Sequence, residues 1–364
     1  MREIARALIA WYREARRTLP WREEPTPYRV WVAEIMAQQT RLETVQPYFE
    51  RFVVRFPDVA ALATASLDDV LACWSGLGYY RRARMLHRAA RLVVERHGGA
   101  LPAEPAALRA LPGVGRYTAG AIASVAFGLP EPVLDGNVKR VLARLLDLEQ
   151  PVDSAGGERR LWTEAEALVR AGGDPSALNQ GLMELGALVC TPSSPACPAC
   201  PVREACRALP AGTVSRRPVR SARRAPRVQP TVALVVGRGD GAVLLRRNPP
   251  EGLFGGLWSV PLRASGPSAR QAAVALGRSL GQGVVVQGGV AGRVEHALTH
   301  RLLRVAVYRA DAPSARAPRG CRWVKPPAGL GRLGVAELTW KILEVAMGAK
   351  KEGDRRRRSP SRSG

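Results

Sequence analysis

Residues 179–206 read NQGLMELGALVCTPSSPACPACPVREAC, a helical run ending in a short loop that carries four cysteines. Apolar residues recur at helical spacing as far as Cys190. From there Cys190, Cys197, Cys200 and Cys206 fall as C-x6-C-x2-C-x5-C. A large chain without a secretory leader does not suit a disulfide framework. A zinc site would favour two C-x2-C pairs, and only one is present. Four thiolates on one short loop suit a cubane [4Fe–4S] cluster, in which each iron takes one soft ligand. Cys73 and Cys321 stand alone and read as small apolar residues.

Upstream of this loop the chain reads as helix after helix. The pattern recurs in IARALIAWY, YRVWVAEIMAQQT, LDDVLACW, RRARMLHRAARLVV, AGAIASVAF and GNVKRVLARLL, with LPW, FPD, GGALPAEP, LPGVG and GLPEP as punctuation. Downstream, LPAGTVSRRPVRSARRAPRVQP is rich in Arg, Pro and Ser and reads as a linker, with a second use as a track along phosphates. After Gln229 short β-branched runs (TVALVV, AVLLRR, LWSVPL, GVVVQGGVAG, LLRVAVYRA) read as strands. SARQAAVALGRSL and LTWKILEVAM read as helices. The expected organisation is an all-α domain over residues 1–209, a basic linker over 210–228, an α+β domain over 229–348 and a disordered basic tail over 349–364.

With 364 residues the chain exceeds one ordinary core, which agrees with two domains. Its formal net charge of +24 points to a polyanionic partner. That charge is unevenly spread: residues 1–202 carry a net +2, 203–227 a net +7, 228–349 a net +10 and 350–364 a net +5. Half of the excess thus lies in the linker and the tail, and the remainder is equally compatible with solvated arginines. Charge supports nucleic-acid binding but does not locate chemistry. There is no apolar stretch of membrane-spanning length. The N-terminal MREIARALIAWYREARR is amphipathic rather than leader-like, so a cytoplasmic monomer is expected.

Two carboxylates stand out. Glu34 lies among Trp31, Ile35 and Met36, where an apolar setting would raise its pKa and keep it protonated. Asp135 opens the helix of LDGNVKRVLARLL, where the helix N-terminus would keep it ionised. Taken alone, Glu34 is a salt-bridged helix residue and Asp135 an N-cap. As a pair they meet the demand of glycosidic cleavage, which needs one group to protonate the leaving group and another to stabilise a cationic sugar. Ahead of Asp135, LPGVGRYTAGAI (111–122) is a tight turn before a helix. Gly113 and Gly115 permit positive φ and close backbone approach, and the helix start offers amides to a phosphate.

The cysteine spacing, together with LPGVGRYTAGAI and LDGNVKRVL, resembles the helix-hairpin-helix DNA glycosylases that carry an iron–sulfur cluster. WVAEIMAQQT (31–40), WSGLGYY (74–80) and the α+β extension resemble their adenine DNA glycosylase branch, the MutY type, from residue 1 to about residue 345. The resemblance implies that Glu34 protonates adenine at N7 and helps activate water. Asp135 then stabilises the oxocarbenium ion or forms a transient adduct with it, and Asn137 orients the site. Tyr117 stands where the bifunctional endonuclease branch has a lysine that forms a Schiff base. A phenol cannot do so, which implies a monofunctional enzyme; without the motif, Tyr117 reads as a core aromatic. Gln38, Gln39 and Tyr79 match wedge and intercalating positions, against readings as helix glutamines and a core aromatic. The five arginines of RRARMLHRAAR suit a phosphate-binding face or a solvated helix. Trp21, Arg22 and Gln180 match the adenine pocket. The hairpin of Gly113 and Gly115 is implied to take a monovalent cation.

NPPEGLFGGLWSVPL (248–262) resembles a Nudix-like domain, whose role in this family is to read 8-oxoguanine. A Nudix hydrolase needs a Glu-rich metal helix, and SARQAAVALGRSLGQG has no acidic residue, which excludes diphosphate hydrolysis. The family recognition loop, Phe-Ser-His, is matched by Leu298, Thr299 and His300. The same residues read as a turn between strands, and Leu replaces an intercalating aromatic. The expected function is hydrolysis of the N-glycosidic bond of adenine mispaired with 8-oxoguanine or guanine in double-stranded DNA. The alternatives are an endonuclease III-like glycosylase acting on damaged pyrimidines and a non-catalytic iron–sulfur DNA-binding or redox-sensing protein.

Overall fold

Ala5, Leu8, Ile9 and Tyr12 are buried along one stripe of the first helix, α1 (Arg2–Ala15), at the i, i+3, i+4, i+7 spacing written in its sequence. The computed structural model describes residues 1–222, 225–281, 283–298, 300–312 and 316–348. After α1 come α2 (Pro20–Glu23), α3 (Pro27–Ala37), α4 (Leu42–Arg55), α5 (Val59–Thr64), α6 (Leu67–Cys73), α7 (Arg81–His97) and α8 (Pro105–Ala110). They are followed by α9 (Arg116–Phe127), α10 (Gly136–Leu145), α11 (Ala155–Gly172) and α12 (Pro175–Leu188). Residues 1–70 and 81–222 form one compact unit, and residues 71–80 join the described residues from 225 onward in a second. None of the described helices is long and apolar enough to cross a membrane.

In the first unit α1, α9, α10, α11 and α12 share a core that includes Leu8, Val138, Leu142, Leu161, Leu178 and Leu182. Trp31, Phe49, Phe52 and Leu86, from α3, α4 and α7, are fully buried. Helix α9 is buried continuously from Thr118 to Ser124 and packs against both α3 and α12, as expected of a helix apolar on all sides. This places the end of α3 and the start of α10 around one central helix.

The linker expected over 210–228 is corrected at both ends. Residues 214–219 are pinned to the first unit. Arg144 Nε donates to the carbonyls of Val214 (3.1 Å) and Arg217 (3.2 Å), and the Val152 amide donates to the Val219 carbonyl at 3.0 Å. Arg217 pairs with Asp147 at 2.8 Å and Glu149 at 3.2 Å. At the far end the first strand already begins at Arg227. Composition alone could not reveal acidic partners more than sixty residues away.

The second unit is a mixed sheet in the order β3-β2-β1-β7-β5. Its strands are β1 (Arg227–Gly237), β2 (Val243–Arg247), β3 (Trp258–Ser259), β4 (Leu262–Ala264), β5 (Val285–Val286), β6 (Gly292–Ala297), β7 (Arg301–Asp311) and β8 (Cys321–Val324). Strands β1 and β7 run parallel, with Val232 opposite Ala306. Val232, Leu234 and Val236 pack under α13 (Ala269–Ser279), while Ala233 and Val235 face α14 (Glu337–Met347). Cover on both faces explains why TVALVV is apolar without alternation. GVVVQGGVAG contributes only Val285–Val286 as strand before β6 opens at Gly292. The tail over 349–364 lies outside the described residues.

Candidate active site

Thr26 caps α3 by accepting from the Arg29 amide at 3.3 Å. The helix buries Val30, Trp31, Val32, Ala33, Ile35 and Met36, so Glu34 is left on the stripe that faces a cavity of about 490 Å³. Trp21, Arg22, Gln39, Tyr117, Asp135, Asn137 and Gln180 line the same cavity, so eight of the expected site residues, Glu34 included, come together. Burial pushes the Glu34 carboxyl up to about 7; the Tyr117 hydroxyl, donating to Oε2 at 2.8 Å, opposes that rise. The charge of Asp135 adds to it and Arg22 subtracts. Burial, then Glu34 and Asp135, push the Tyr117 phenol well above its usual value, so it stays neutral and can only donate or accept.

Asp135 is the N-cap of α10, and its Oδ1 accepts from the Val138 amide at 2.7 Å. Its other oxygen accepts from Asn137 Nδ2 at 3.0 Å. Burial still raises its pKa, against the pull of these donors and of Arg140. The capping reading and the catalytic reading of this residue therefore describe one geometry. Asn137 Oδ1 in turn accepts from Arg140 Nη2 at 2.8 Å, and Arg140 Nε donates to the Cys190 carbonyl at 2.7 Å. A side chain that faces the cavity is thus two residues removed from the first cysteine of the loop.

Cys190, Cys197, Cys200 and Cys206 line one cavity together with Arg144 and Arg203, and none of them is in a disulfide. Burial raises the Cys200 thiol to about 11, and the other three cysteines add to the rise. Arg144 Nη1 donates to Cys190 Sγ at 3.3 Å. Four soft sulfur donors lining one cavity with a guanidinium alongside are the donor set that an iron–sulfur cluster takes.

A family model described as HhH-GPD superfamily base excision DNA repair protein matches residues 32–163, and a NUDIX domain model matches residues 232–345. Adenine DNA glycosylase of Mus musculus is 37% identical, covering 87% of this chain and 73% of its own length. The Homo sapiens protein of the same name is 35% identical, covering 87% of this chain and 69% of its own. The chain belongs to the adenine DNA glycosylase family. The solved structure of a thermostable thymine-DNA glycosylase matches with TM-score 0.52 and 29% identity, over 56% of this chain and 93% of that one. As in other members of the adenine DNA glycosylase family, its role is that of a base excision repair glycosylase.

The residues expected to open DNA are more individual than a helix pattern suggests. Helix α3 stops at Ala37, so Gln38 and Gln39 are not helix glutamines. Gln38 is half-buried and donates to Thr118 Oγ1 at 3.1 Å, whereas Gln39 is exposed with φ 59°. Tyr79 is 51% exposed with φ 48°, not a core aromatic. At the hairpin Gly113 has φ 82°, and a Cβ there would lie 2.7 Å from Met85 Cβ. Gly115 corrects the expectation: it is the α9 N-cap in extended backbone, so it provides open space rather than a left-handed turn. In the second unit His300 is exposed, while Leu298 packs partly buried against the β1–α14 core. Thr299 lies outside the described residues. The arginine face of RRARMLHRAAR is corrected at Arg82, which is buried.

Sequence reasoning missed Glu184. Its side chain is 1% exposed, and it accepts from Arg17 Nε at 2.8 Å and Arg22 Nη2 at 2.9 Å on the cavity wall. The signal available was an acidic residue on an otherwise apolar helix face in NQGLMELGALVC. Nothing local named its partners, which lie in sequence more than 160 residues earlier.

Proposed function

We propose that this chain is a monofunctional glycosylase that hydrolyses the N-glycosidic bond of adenine mispaired with 8-oxoguanine or guanine in duplex DNA. The observation that carries this reading is the Glu34–Tyr117 hydrogen bond in a cavity shared with Asp135. A carboxyl poised near neutrality is suited to protonate a departing base. In this mechanism Glu34 gives its proton to adenine N7 and then orients the incoming water. Asp135, the more richly hydrogen-bonded carboxylate, stabilises the cationic sugar, and Asn137 holds it in place. Tyr117 has no amine to form a Schiff base, so the abasic product is left uncut.

Trp21, Arg22 and Gln180 would form the wall against the extruded adenine. Gln38, Gln39 and Tyr79 would open the stack, Gln38 from behind the turn and the other two from exposed positions. Cys190, Cys197, Cys200 and Cys206 would hold a [4Fe–4S] cluster, which when bound cross-links the loop as a structural unit. The hairpin at Gly113 and Gly115 would take a backbone phosphate with a monovalent cation. Leu298, Thr299 and His300 would meet the 8-oxoguanine opposite. The protein would act as a monomer in the cytoplasm, on nucleoid DNA.

The test is incubation with duplexes containing adenine opposite 8-oxoguanine, adenine opposite cytosine, G·T or thymine glycol, each followed by treatment with or without alkali. Cleavage of the adenine strand alone, and only after alkali, is the expected outcome. Strand cleavage without alkali, or preference for thymine glycol, would overturn it. A Cys200→Ser variant that kept the iron content and visible thiolate–iron absorption of the parent would overturn the cluster assignment.

A further inference from the structure

Arg82 is the second residue of α7, only 9% exposed, and its guanidinium reaches the end of α3. The two hydrogens of its Nη1 are shared among the carbonyls of Ile35 (3.1 Å), Met36 (2.6 Å) and Gln38 (2.5 Å), and its Nη2 donates to Thr40 Oγ1 at 3.1 Å. The last carbonyls of a helix have no partner within it, and a cation there also complements the helix dipole. That much is ordinary capping. The placement of the acceptors is not: they lie on both sides of Gln39, at Gln38 before it and Thr40 after it.

Gln39 needs such support. Its φ of 59° lies in the left-handed region that non-glycine residues avoid. A backbone of this kind persists only where its surroundings over-determine it. The Gln38 side chain, tied to Thr118, provides one restraint, and the Arg82 fork provides the others. Gln39 itself is exposed, five residues beyond Glu34 on the same segment. An ammonium on a flexible stem would not match four acceptors spread around a turn, whereas a planar guanidinium does.

We infer that Arg82 is a positioning residue for duplex opening, its guanidinium bracing the Gln38–Thr40 turn so that Gln39 meets the base stack in one fixed geometry. This rests on the reading of Gln39 as a duplex-opening residue. Arg82 is not among the residues that line the cavity of Glu34 and Asp135, so its loss acts on extrusion and spares the chemical step.

The experiment compares single-turnover adenine release from two duplexes, one with adenine opposite 8-oxoguanine and one with adenine opposite a tetrahydrofuran abasic analogue, where no pair need be broken. Full-length parent, Arg82→Lys, Thr40→Val and Gln39→Ala proteins are used, each checked by circular dichroism and thermal melting. Arg82→Lys is expected to slow release from the paired duplex by about tenfold while slowing the unpaired one by less than about threefold. Thr40→Val, which removes the Nη2 acceptor alone, is expected to show the same selectivity at about threefold. Equal losses on both duplexes, or no loss in a folded Arg82→Lys protein, would overturn the inference. If Arg82→Lys does not fold, Thr40→Val decides by the same comparison. Gln39→Ala separates the two readings. If it is not selective, the duplex-opening reading of the turn fails; if it is selective and Arg82→Lys is not, only the Arg82 assignment fails.

Discussion

The Tyr117 hydroxyl donates to Glu34 Oε2 at 2.8 Å, and each group shifts the other. Burial lifts Glu34 to about 7, and the phenol holds it below where burial alone would put it. An acid with this pKa is protonated below neutrality and loses its proton as the pH rises through 7. Adenine release should therefore decline across that range. Tyr117→Phe removes a donor that favours the carboxylate, so the Glu34 pKa rises and the alkaline limb moves to higher pH. The single-turnover pH profile of the two proteins checks this, and a limb that stays in place or moves down would contradict it.

Asp135 combines two duties that one substitution separates. Asparagine is as good an N-cap as aspartate, so Asp135→Asn should change stability by about 1 kcal/mol or less. It cannot stabilise a cationic sugar, and release should fall by at least about a hundredfold. Urea denaturation beside single-turnover kinetics measures both. A large stability loss would mean that the cap, not the charge, explains any inactivity.

The bonds behind Asp135 predict a more distant effect. A Cβ added at Gly186 would lie 2.6 Å from Asn137 Cβ and 3.0 Å from its Cα and carbonyl oxygen. The backbone of α12 approaches α10 here because position 186 has no side chain. Gly186→Ala should destabilise the protein by about 1–3 kcal/mol, the usual result of overpacking. Because Asn137 holds Asp135, release should also slow beyond what unfolding explains. Arg140→Lys tests the same line without crowding: a single ammonium cannot serve Asn137, Gly186 and Cys190 together. Slowed release at saturating enzyme, with the protein still folded at the assay temperature, is the expected outcome for both.

Much of this was legible in the sequence where local chemistry decides. The α1 and α10 stripes, the cap at Asp135 and the apolar setting of Glu34 need no partner from elsewhere in the chain to be recognised. Gln39 and Tyr79 were legible as exceptional only through family resemblance, since propensity places neither in a left-handed turn. The linker was misread because Arg217 finds Asp147 and Glu149 across a long separation, and composition carries no information about such pairs. Arg82 was misread for a related reason. One arginine among five in a helix reads as solvated, and only the fold shows that its neighbour is the open end of α3.

Glu184 gives the last prediction, and its sign follows from its partners. Burial pushes its carboxyl up, but hydrogen bonds from Arg17 and Arg22 outweigh it and hold the group at about 2. A carboxylate depressed in the folded state contributes stability that is complete above its unfolded value of about 4.3 and is lost as the pH falls toward 2. Glu184→Gln preserves shape but leaves two guanidiniums facing a neutral amide. At neutral pH this should cost about 3 kcal/mol, as for other broken buried pairs. Between about pH 4.3 and 2 the parent loses the same charge, so the gap between parent and variant should narrow. Urea titrations from neutral pH downward, as far as both proteins stay folded, measure that gap. A difference that stays constant through the acid range would show that Glu184 stabilises by its shape and hydrogen bonds, and that its charge beside Arg22 is immaterial.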